Sequence, residues 1–150
     1  MVDKPQIITG GLHSDERGKI SFVNEFKLDE IKRFYSIQPS NTNVVRAWQG
    51  HAKERKWFFV IAGSFKVVAA KIDDWENPPL KPVIYEFDLN EQRPEVLYVP
   101  GGYVNGFKAV KPNSKVIVFS DQTVEQSVND DYRFDQNDWF DWGYKNIETL

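Results

Sequence analysis

Two histidines and no cysteine restrict the proton-transfer chemistry open to this sequence of 150 residues. The absence of cysteine excludes disulfides, thiolate nucleophiles and cysteine-based zinc sites. His13 lies in the polar segment GGLHSDERG, where a loop would leave the imidazole solvated. His51 ends the segment VVRAWQGH, which has the composition of a strand. It is therefore the imidazole best placed to act as a general acid or base.

Further polar candidates lie on the same segment and on the one that follows it. A strand sends alternate side chains to opposite faces, so Gln49 and His51 share one face and Arg46 lies on the other. Arg46 can join them only through a bulge or from an adjoining subunit. A lone guanidinium there suits a phosphate contact and a surface ion pair equally well. Lys56 opens the apolar segment KWFFVIAG, and it either serves a site or keeps its charge at the rim.

A third group follows the turn in LYVPGGYVNGF. Here Tyr103 and Asn105 fall on one face of the next strand, together with Phe107. The two polar side chains either contact a ligand or only stabilise the turn.

The elements that must position these residues are almost all strands. Segments rich in β-branched and aromatic residues, separated by Pro, Gly and Asn, predict strands at 19–26, 33–38, 43–51, 56–63, 64–72, 82–89, 95–100, 103–110 and 114–121. Short helices are predicted only at 27–33 and in the aromatic segment that begins at Asp138. Gly63-Ser64 predicts a tight hairpin between two of the strands. The acidic residues between 130 and 141 are expected to be solvated.

Chain length and strand spacing predict a single all-β domain over residues 1–150, with an antiparallel sandwich or barrel and a short carboxyl-terminal helical segment. Lys and Arg number 19 against 22 Asp and Glu, giving a net charge of −3, which argues against nucleic acid as a partner. The amino terminus lacks the features of a secretory signal, and the longest nearly apolar run, WFFVIAG, is much shorter than the roughly 20 residues of a membrane-spanning helix. We therefore expect a cytoplasmic protein that does not enter a membrane.

Several segments, taken in order, resemble the RmlC-like cupins. The segments VVRAWQGH, KWFFVIAGSFKVVAAKID and LYVPGGYVNGF are similar to successive core strands of that family. The earlier DERGKISFVNEF, followed by IKRFYSI, resembles its ketoisomerase branch. The family includes dTDP-4-dehydrorhamnose 3,5-epimerases and dTDP-sugar 3,4-ketoisomerases. The resemblance implies an antiparallel jelly-roll barrel, usually a homodimer, that binds a thymidine diphosphate sugar in its mouth.

The resemblance also implies roles for individual residues. Arg46 and Arg17 match arginines that contact the nucleotide diphosphate, and Lys56 matches a lysine that stabilises the enolate. His51 matches the second histidine of the RGxHxH pattern in the ketoisomerase branch. The substrate-binding set predicted for this sequence comprises Arg17, Arg46, Gln49, Tyr103 and Asn105.

This sequence departs from the family at the positions that carry proton transfer. Gln49 stands where the family has its general-base histidine, and Asn105 stands where it has another. No tyrosine lies between Gln122 and Glu125, where the epimerases carry their acid. A glutamine amide cannot take up a proton near neutral pH, so His51 is the provisional base.

Two functional hypotheses follow, and both exclude a metal or other cofactor. A metal-dependent cupin would need several imidazole and carboxylate ligands, but the matching positions offer only His51 beside Gln49 and Asn105. The first hypothesis is an isomerase or epimerase of carbohydrate biosynthesis. It would remove a proton beside the ketone of a dTDP-4-keto-6-deoxyhexose, with His51 and Lys56 as catalytic residues. The alternative is a non-catalytic cupin that still binds a sugar or a nucleotide sugar.

Overall fold

The computed structural model describes residues 4–143, and nearly all of its regular structure is antiparallel β-sheet. The strands are β1 (Gln6–Thr9), β2 (Gly11–Asp15), β3 (Gly18–Phe22), β4 (Arg33–Ile37), β5 (Val45–His51), β6 (Lys56–Ala62), β7 (Ser64–Lys71), β8 (Ile84–Asn90), β9 (Glu95–Val99), β10 (Tyr103–Ala109), β11 (Lys115–Ser120) and β12 (Tyr132–Arg133). A single short helix, α1 (Val124–Val128), precedes β12.

Two five-stranded sheets form the barrel. The first sheet has the order β1-β9-β6-β11-β4 and the second has the order β12-β5-β10-β7-β8. The side chains packed between them include Phe58 and Val116 from the first sheet and Phe65 and Phe107 from the second. The strands β2 and β3 form a separate hairpin that pairs with neither sheet. These observations confirm the predicted all-β jelly-roll architecture.

Every predicted strand segment overlaps an observed strand, but only one of the two predicted helices has a counterpart in the structure. The short helix near the carboxyl end is present, although it lies at Val124–Val128, before the aromatic segment to which it was assigned. Residues 138–143 form bends and irregular structure, and residues 144–150 lie outside the described part. The predicted helix at 27–33 is wrong. There the Ile31 N–H donates to the Leu28 carbonyl in one turn, and the Lys32 N–H joins the Ser120 carbonyl.

Gly63 connects the two sheets, so the predicted hairpin between β6 and β7 is also wrong. The strands β6 and β7 belong to different sheets and do not pair. Gly63 has a φ of +73°, and a Cβ there would lie 2.0 Å from Ser114 Oγ. The glycine that predicts a tight turn therefore lies where the chain passes from the first sheet to the second.

The segment after α1 packs on the outer face of the second sheet. Trp48 lies against Trp139 and Trp142, with ring centroids 5.6 Å and 5.7 Å away, and its indole N–H donates to the Asp138 carbonyl. This packing directs the chain so that β12 pairs with β5 at Gly50 and Gln49. Among residues 4–143, no helix is long and apolar enough to cross a membrane.

Candidate functional site

A cavity of about 660 Å³ opens between the two sheets at one end of the barrel. Strands β4, β6 and β11 supply one wall, and β5, β10 and β12 supply the other. Its polar lining consists of Arg33, Arg46, Gln49, Lys56, Asn105 and Arg133. The aromatic lining consists of Tyr35, Trp48, Phe58, Phe107 and Phe134. A concave site that combines several cations with aromatic faces is suited to an anionic ligand that has a flat or apolar part.

A break in strand register brings Arg46 and Gln49 to the same cavity. Gln49 pairs with Asn105 and Arg46 pairs with Phe107, so two residues of β5 lie opposite Gly106 alone. This extra residue reverses the alternation between the two side chains. The sequence placed them on opposite faces unless a bulge intervened, and the structure contains that bulge.

Lys56 is a buried ammonium group at the cavity wall. The residue is 3% exposed. Its Nζ donates a hydrogen bond to Gln49 Oε1 over 3.1 Å, and it has no other hydrogen-bond partner among residues 4–143. Burial lowers its pKa to about 8, and the charges of Arg33 and Arg133 act in the same direction, against Glu54. Near neutral pH this lysine exchanges a proton far more readily than an exposed one.

Gln49 connects Lys56 to a carboxylate from the segment after α1. The Gln49 Nε2 group donates to Asp131 Oδ1 over 3.3 Å. Asp131 also accepts from the guanidinium of Arg133, at 2.8 Å from Nε. A carboxylate can only accept here, so the amide turns its nitrogen to Asp131 and its oxygen to Lys56.

His51 lies outside the cavity lining, in the buried region beside it. It is 2% exposed. Its Nδ1 is 2.5 Å from the Asp130 carbonyl oxygen, which can only accept, so Nδ1 carries the proton. The Nε2 atom is buried and has no hydrogen-bond partner among residues 4–143. Burial, together with the charge of Lys56, lowers the pKa of the imidazole below its ordinary value of 6.5, so the ring is neutral at pH 7.

Buried carboxylates hold the loop that joins β5 to β6. Asp130 accepts hydrogen bonds from the backbone N–H groups of Ala52, Lys53 and Glu54 at 2.8 to 2.9 Å. Glu54 in turn accepts from Ser120 Oγ at 2.7 Å and from Arg33 at 3.3 Å. Asp130 is 9% exposed, so the expectation that the whole acidic group is solvated is wrong for this member. The loop is thereby fixed between His51 and Lys56.

The remaining predicted site residues divide between the cavity and other places. Asn105 lines the cavity, is 4% exposed and has no side-chain hydrogen bond among residues 4–143. Tyr103 is buried in the core between the sheets, edge-on to Tyr85. Arg17 lies at the turn of the β2–β3 hairpin and is paired with Asp15 at 2.7 Å. The structure thus brings Arg46, Gln49, Lys56 and Asn105 together, without Arg17 or Tyr103.

The charge in the cavity is only partly balanced. Arg33 is paired with Glu54 and Arg133 with Asp131. Arg46 has no hydrogen-bond or ion-pair partner among residues 4–143, and Lys56 has only the neutral amide. A cavity that holds two cations without matching anions favours an anionic ligand.

Sequence reasoning missed several of the residues that line this cavity. Arg33 and Tyr35 alternate along β4, and period two in RFYSI places both on one face, a signal that was available. Arg133 carries no such signal, because β12 is only two residues long. Within the described part of the chain, no group of three or more His, Cys, Asp or Glu residues is arranged to hold a metal ion.

The jelly-roll fold and the cation-lined mouth place the protein among the RmlC-like cupins. The chain belongs to the family described as "FdtA: WxcM-like, C-terminal", whose model matches residues 3–142. It is 26% identical over 112 residues to the probable low-salt glycan biosynthesis epimerase Agl13 of Haloferax volcanii. That match covers 71% of this chain and 70% of Agl13.

Solved structures with the same fold include two kinds of sugar-nucleotide enzyme. The dTDP-4-dehydrorhamnose 3,5-epimerase of Sulfolobus tokodaii superposes with a TM-score of 0.74 at 23% identity, over 93% of this chain and 81% of that one. A mutant 3,4-ketoisomerase of Thermoanaerobacterium thermosaccharolyticum, in complex with TDP-4-keto-6-deoxyglucose, superposes with a TM-score of 0.69 at 18% identity. That superposition covers 89% of this chain and 90% of the ketoisomerase. At these identities the similarity shows the fold.

Proposed function

We propose that this protein binds a nucleoside diphosphate sugar in the cavity and acts as an epimerase or isomerase of carbohydrate biosynthesis. Its substrate would be a dTDP-4-keto-6-deoxyhexose, from which a proton is removed beside the ketone. The observation that carries the proposal is the guanidinium of Arg46, which faces the cavity without a partner among the described residues. A diphosphate is a bidentate anion that matches such a group, and the aromatic wall suits the sugar or the base.

The relatives support the same substrate class. The curated relative is named an epimerase, and one structural relative holds TDP-4-keto-6-deoxyglucose. Removal of a proton beside a ketone requires a base and a group that stabilises the enolate. His51 and Lys56 are our candidates for these two tasks, and Asn105 and Gln49 are our candidates for contacts to the sugar.

A binding protein without turnover is the second candidate function. The specific observation in its favour is the amide of Gln49, which occupies the cavity wall where the family has its general base and which cannot take up a proton near neutral pH. Such a protein would use the same cations and aromatic faces to hold the ligand.

Proton exchange separates the two candidates. The purified protein is incubated in D₂O with dTDP-4-keto-6-deoxyglucose, and deuterium entry at C3 and C5 is followed by NMR against a protein-free control. Incorporation above the control supports the enzyme. Saturation transfer to the nucleotide without incorporation supports the binding protein. If neither signal is observed, both candidate functions are contradicted, and the cavity would then bind another ligand.

We also propose that the protein is a homodimer in the cytoplasm. The β2–β3 hairpin exposes Ile20 and Phe22 on one face, to 62% and 38%, and Leu12 on the other face, to 44%. An isolated hairpin is marginally stable, and an apolar face of this kind suits a second copy of the chain. The side chain of Arg17 is 82% exposed at the hairpin turn, where it would serve the nucleotide site of the partner. The lack of cysteine is compatible with a reducing compartment.

Light scattering after size-exclusion chromatography tests the dimer. The wild-type protein should elute at twice the chain mass. The variant Ile20→Asp should elute as a monomer, and Lys81→Asp, a change at an exposed loop position, should remain dimeric. A wild-type monomer at micromolar concentration would contradict the proposal.

A further inference from the structure

The cavity lining contains one side chain that can serve as a base near neutral pH. Guanidinium and amide groups do not serve as bases near neutral pH, which leaves out Arg33, Arg46, Gln49, Asn105 and Arg133. Tyr35 keeps its phenolic proton, because burial raises its pKa above the ordinary value of 10. Among the described residues that line the cavity, only Lys56 can lose a proton at one moment and regain it at the next.

His51, the base expected from the sequence, is poorly placed by comparison. It does not line the cavity, and its Nδ1–H donates to the backbone carbonyl of Asp130. That bond ties the ring to the segment before β12, and Glu54 Oε1, in the loop after β5, lies 3.5 Å from Nδ1.

A chain of two hydrogen bonds holds the amine of Lys56 in place. Asp131 accepts from Gln49 Nε2, which leaves Gln49 Oε1 to accept from Lys56 Nζ. A neutral amine that donates one N–H to this oxygen keeps its lone pair for another partner. Because Lys56 lines the cavity, the partner for that lone pair would be the substrate.

We propose that Lys56 Nζ, positioned by Gln49 and Asp131, is the base that removes the proton beside the ketone and returns it. This inference rests on the proposed enzymatic function. It assigns to Lys56 the proton transfer that the family resemblance gave to a histidine, and it makes Gln49 and Asp131 positioning residues.

The step balances without a further reactant. The neutral amine takes a proton from the carbon beside the ketone, and the C–H electron pair moves into the enolate, leaving negative charge on the ketone oxygen. Lys56 becomes an ammonium group beside that enolate and stabilises its negative charge. Return of the proton to carbon restores the neutral amine. In D₂O the amine exchanges its hydrogens with solvent, so deuterium enters the sugar.

The pH dependence of exchange distinguishes the two bases. The charged or titratable groups that act on Lys56 or share its cavity are Arg33, Tyr35, Arg46, His51, Glu54, Asp131 and Arg133. Their combined effect with burial leaves the pKa of Lys56 at about 8 and that of His51 below 6.5. A reaction that needs neutral Lys56 should accelerate through pH 8, whereas one that needs neutral His51 should already be at its plateau at pH 7.

The experiment is deuterium incorporation into dTDP-4-keto-6-deoxyglucose from pH 6 to 9.5, corrected for a protein-free control at each pH. We expect the wild-type rate to rise with a midpoint near pH 8. The variants Lys56→Met and Lys56→Arg should lose about 100-fold or more, as removal of a general base does. Lys81→Met, a change at an exposed lysine in the loop after β7, serves as the matched control.

Gln49→Glu tests the positioning role through the pH profile. A carboxylate within hydrogen-bond distance of Lys56 favours its charged form, so the midpoint should move up by about one pH unit or more. An unchanged midpoint would overturn the assignment of Gln49. Thermal unfolding followed by circular dichroism verifies that each variant is folded, and the wild-type profile does not depend on any variant.

The results that would overturn Lys56 as the base differ from those that would overturn the proposed enzymatic function. Exchange that persists in folded Lys56→Met, or a wild-type plateau at pH 7, would overturn Lys56 as the base and leave the enzyme intact. A covalent adduct on Lys56 after borohydride treatment with the substrate would also overturn it, because the amine would then act through an imine. No exchange by the wild-type protein at any pH would overturn the enzymatic function itself, together with this inference.

Discussion

The buried ammonium group of Lys56 should make the protein less stable than a variant that lacks the charge. The residue is 3% exposed, and its pKa falls from 10.5 to about 8. The difference between those pKa values corresponds to about 3 kcal/mol of stability lost while the amine is charged. Because the pKa is lower in the folded state, the loss is fully present below pH 8 and disappears as the pH rises toward 10.5.

Replacement of Lys56 by Met keeps the length of the side chain and removes the charge. The change also removes the hydrogen bond to Gln49, which costs about 1 kcal/mol. We therefore expect Lys56→Met to be more stable than the wild type by about 2 kcal/mol at pH 7, because burial of an unpaired charge is unfavourable. By pH 9 this advantage should shrink by about 1 kcal/mol, since most of the folded wild-type lysine is then neutral.

Urea denaturation followed by tryptophan fluorescence measures the difference at pH 7, 8 and 9. The variant Lys81→Met is the control and should follow the wild type at each pH. A Lys56→Met protein that is less stable at pH 7 would refute the reasoning. So would an advantage that does not change with pH.

Three further predictions concern the site and its supports. Arg46→Ala should weaken the binding of dTDP by at least about tenfold in calorimetry, because a charged hydrogen bond contributes about 1.5 to 3 kcal/mol, and unchanged affinity would exclude Arg46 from the diphosphate site. Asp130→Ala should destabilise the protein by about 3 kcal/mol or more in urea, because three backbone N–H groups lose their acceptor. Asp130→Asn should lower the free energy of unfolding by less than Asp130→Ala does. A loss below about 1 kcal/mol for Asp130→Ala would contradict the role of Asp130 as acceptor for the β5–β6 loop. Gly63→Ala should lower the melting temperature, because its Cβ would lie 2.0 Å from Ser114 Oγ and its φ is +73°. The loss should be smaller in a Ser114→Ala background, and equal losses would refute the steric explanation.

Strand positions were predictable because runs of β-branched and aromatic residues, and the turn residues that bound them, act locally. The segments around Phe58, Val67 and Val118 are such runs, and each is a strand in the structure. The position of a turn in the sequence does not reveal which strands pair across it. Gly63-Ser64 therefore predicts a hairpin, although Gly63 joins strands of two different sheets. The strand β1 was missed because QIIT is short and is followed by two glycines.

The candidate site was only partly predictable, for reasons of sequence distance. Gln49 and Lys56 are seven positions apart, and a resemblance over two neighbouring segments identifies both. Asp131 is 82 positions from Gln49, and nothing local in NDDYRF marks it as more than a solvated acid. The side chains of Arg46 and Gln49 point to the same cavity because of a bulge opposite Gly106. Neither residue type indicates that bulge in the sequence.

The pairing of β12 with β5 links ligand binding to the docking of the segment after α1. Four consecutive residues, Asp130 to Arg133, hold the β5–β6 loop, orient Gln49 and place a guanidinium at the cavity. A ligand that contacts Arg133 binds more tightly when this segment is docked on β5. By thermodynamic reciprocity, the bound ligand must stabilise the docked segment by the free energy that docking adds to ligand binding. Backbone amides of residues 132–134 should therefore exchange hydrogen more slowly when the cavity is filled. Hydrogen exchange at β12, a strand of only two residues, would then report whether the cavity is filled. Most of the cavity lining lies far from β12 in the sequence.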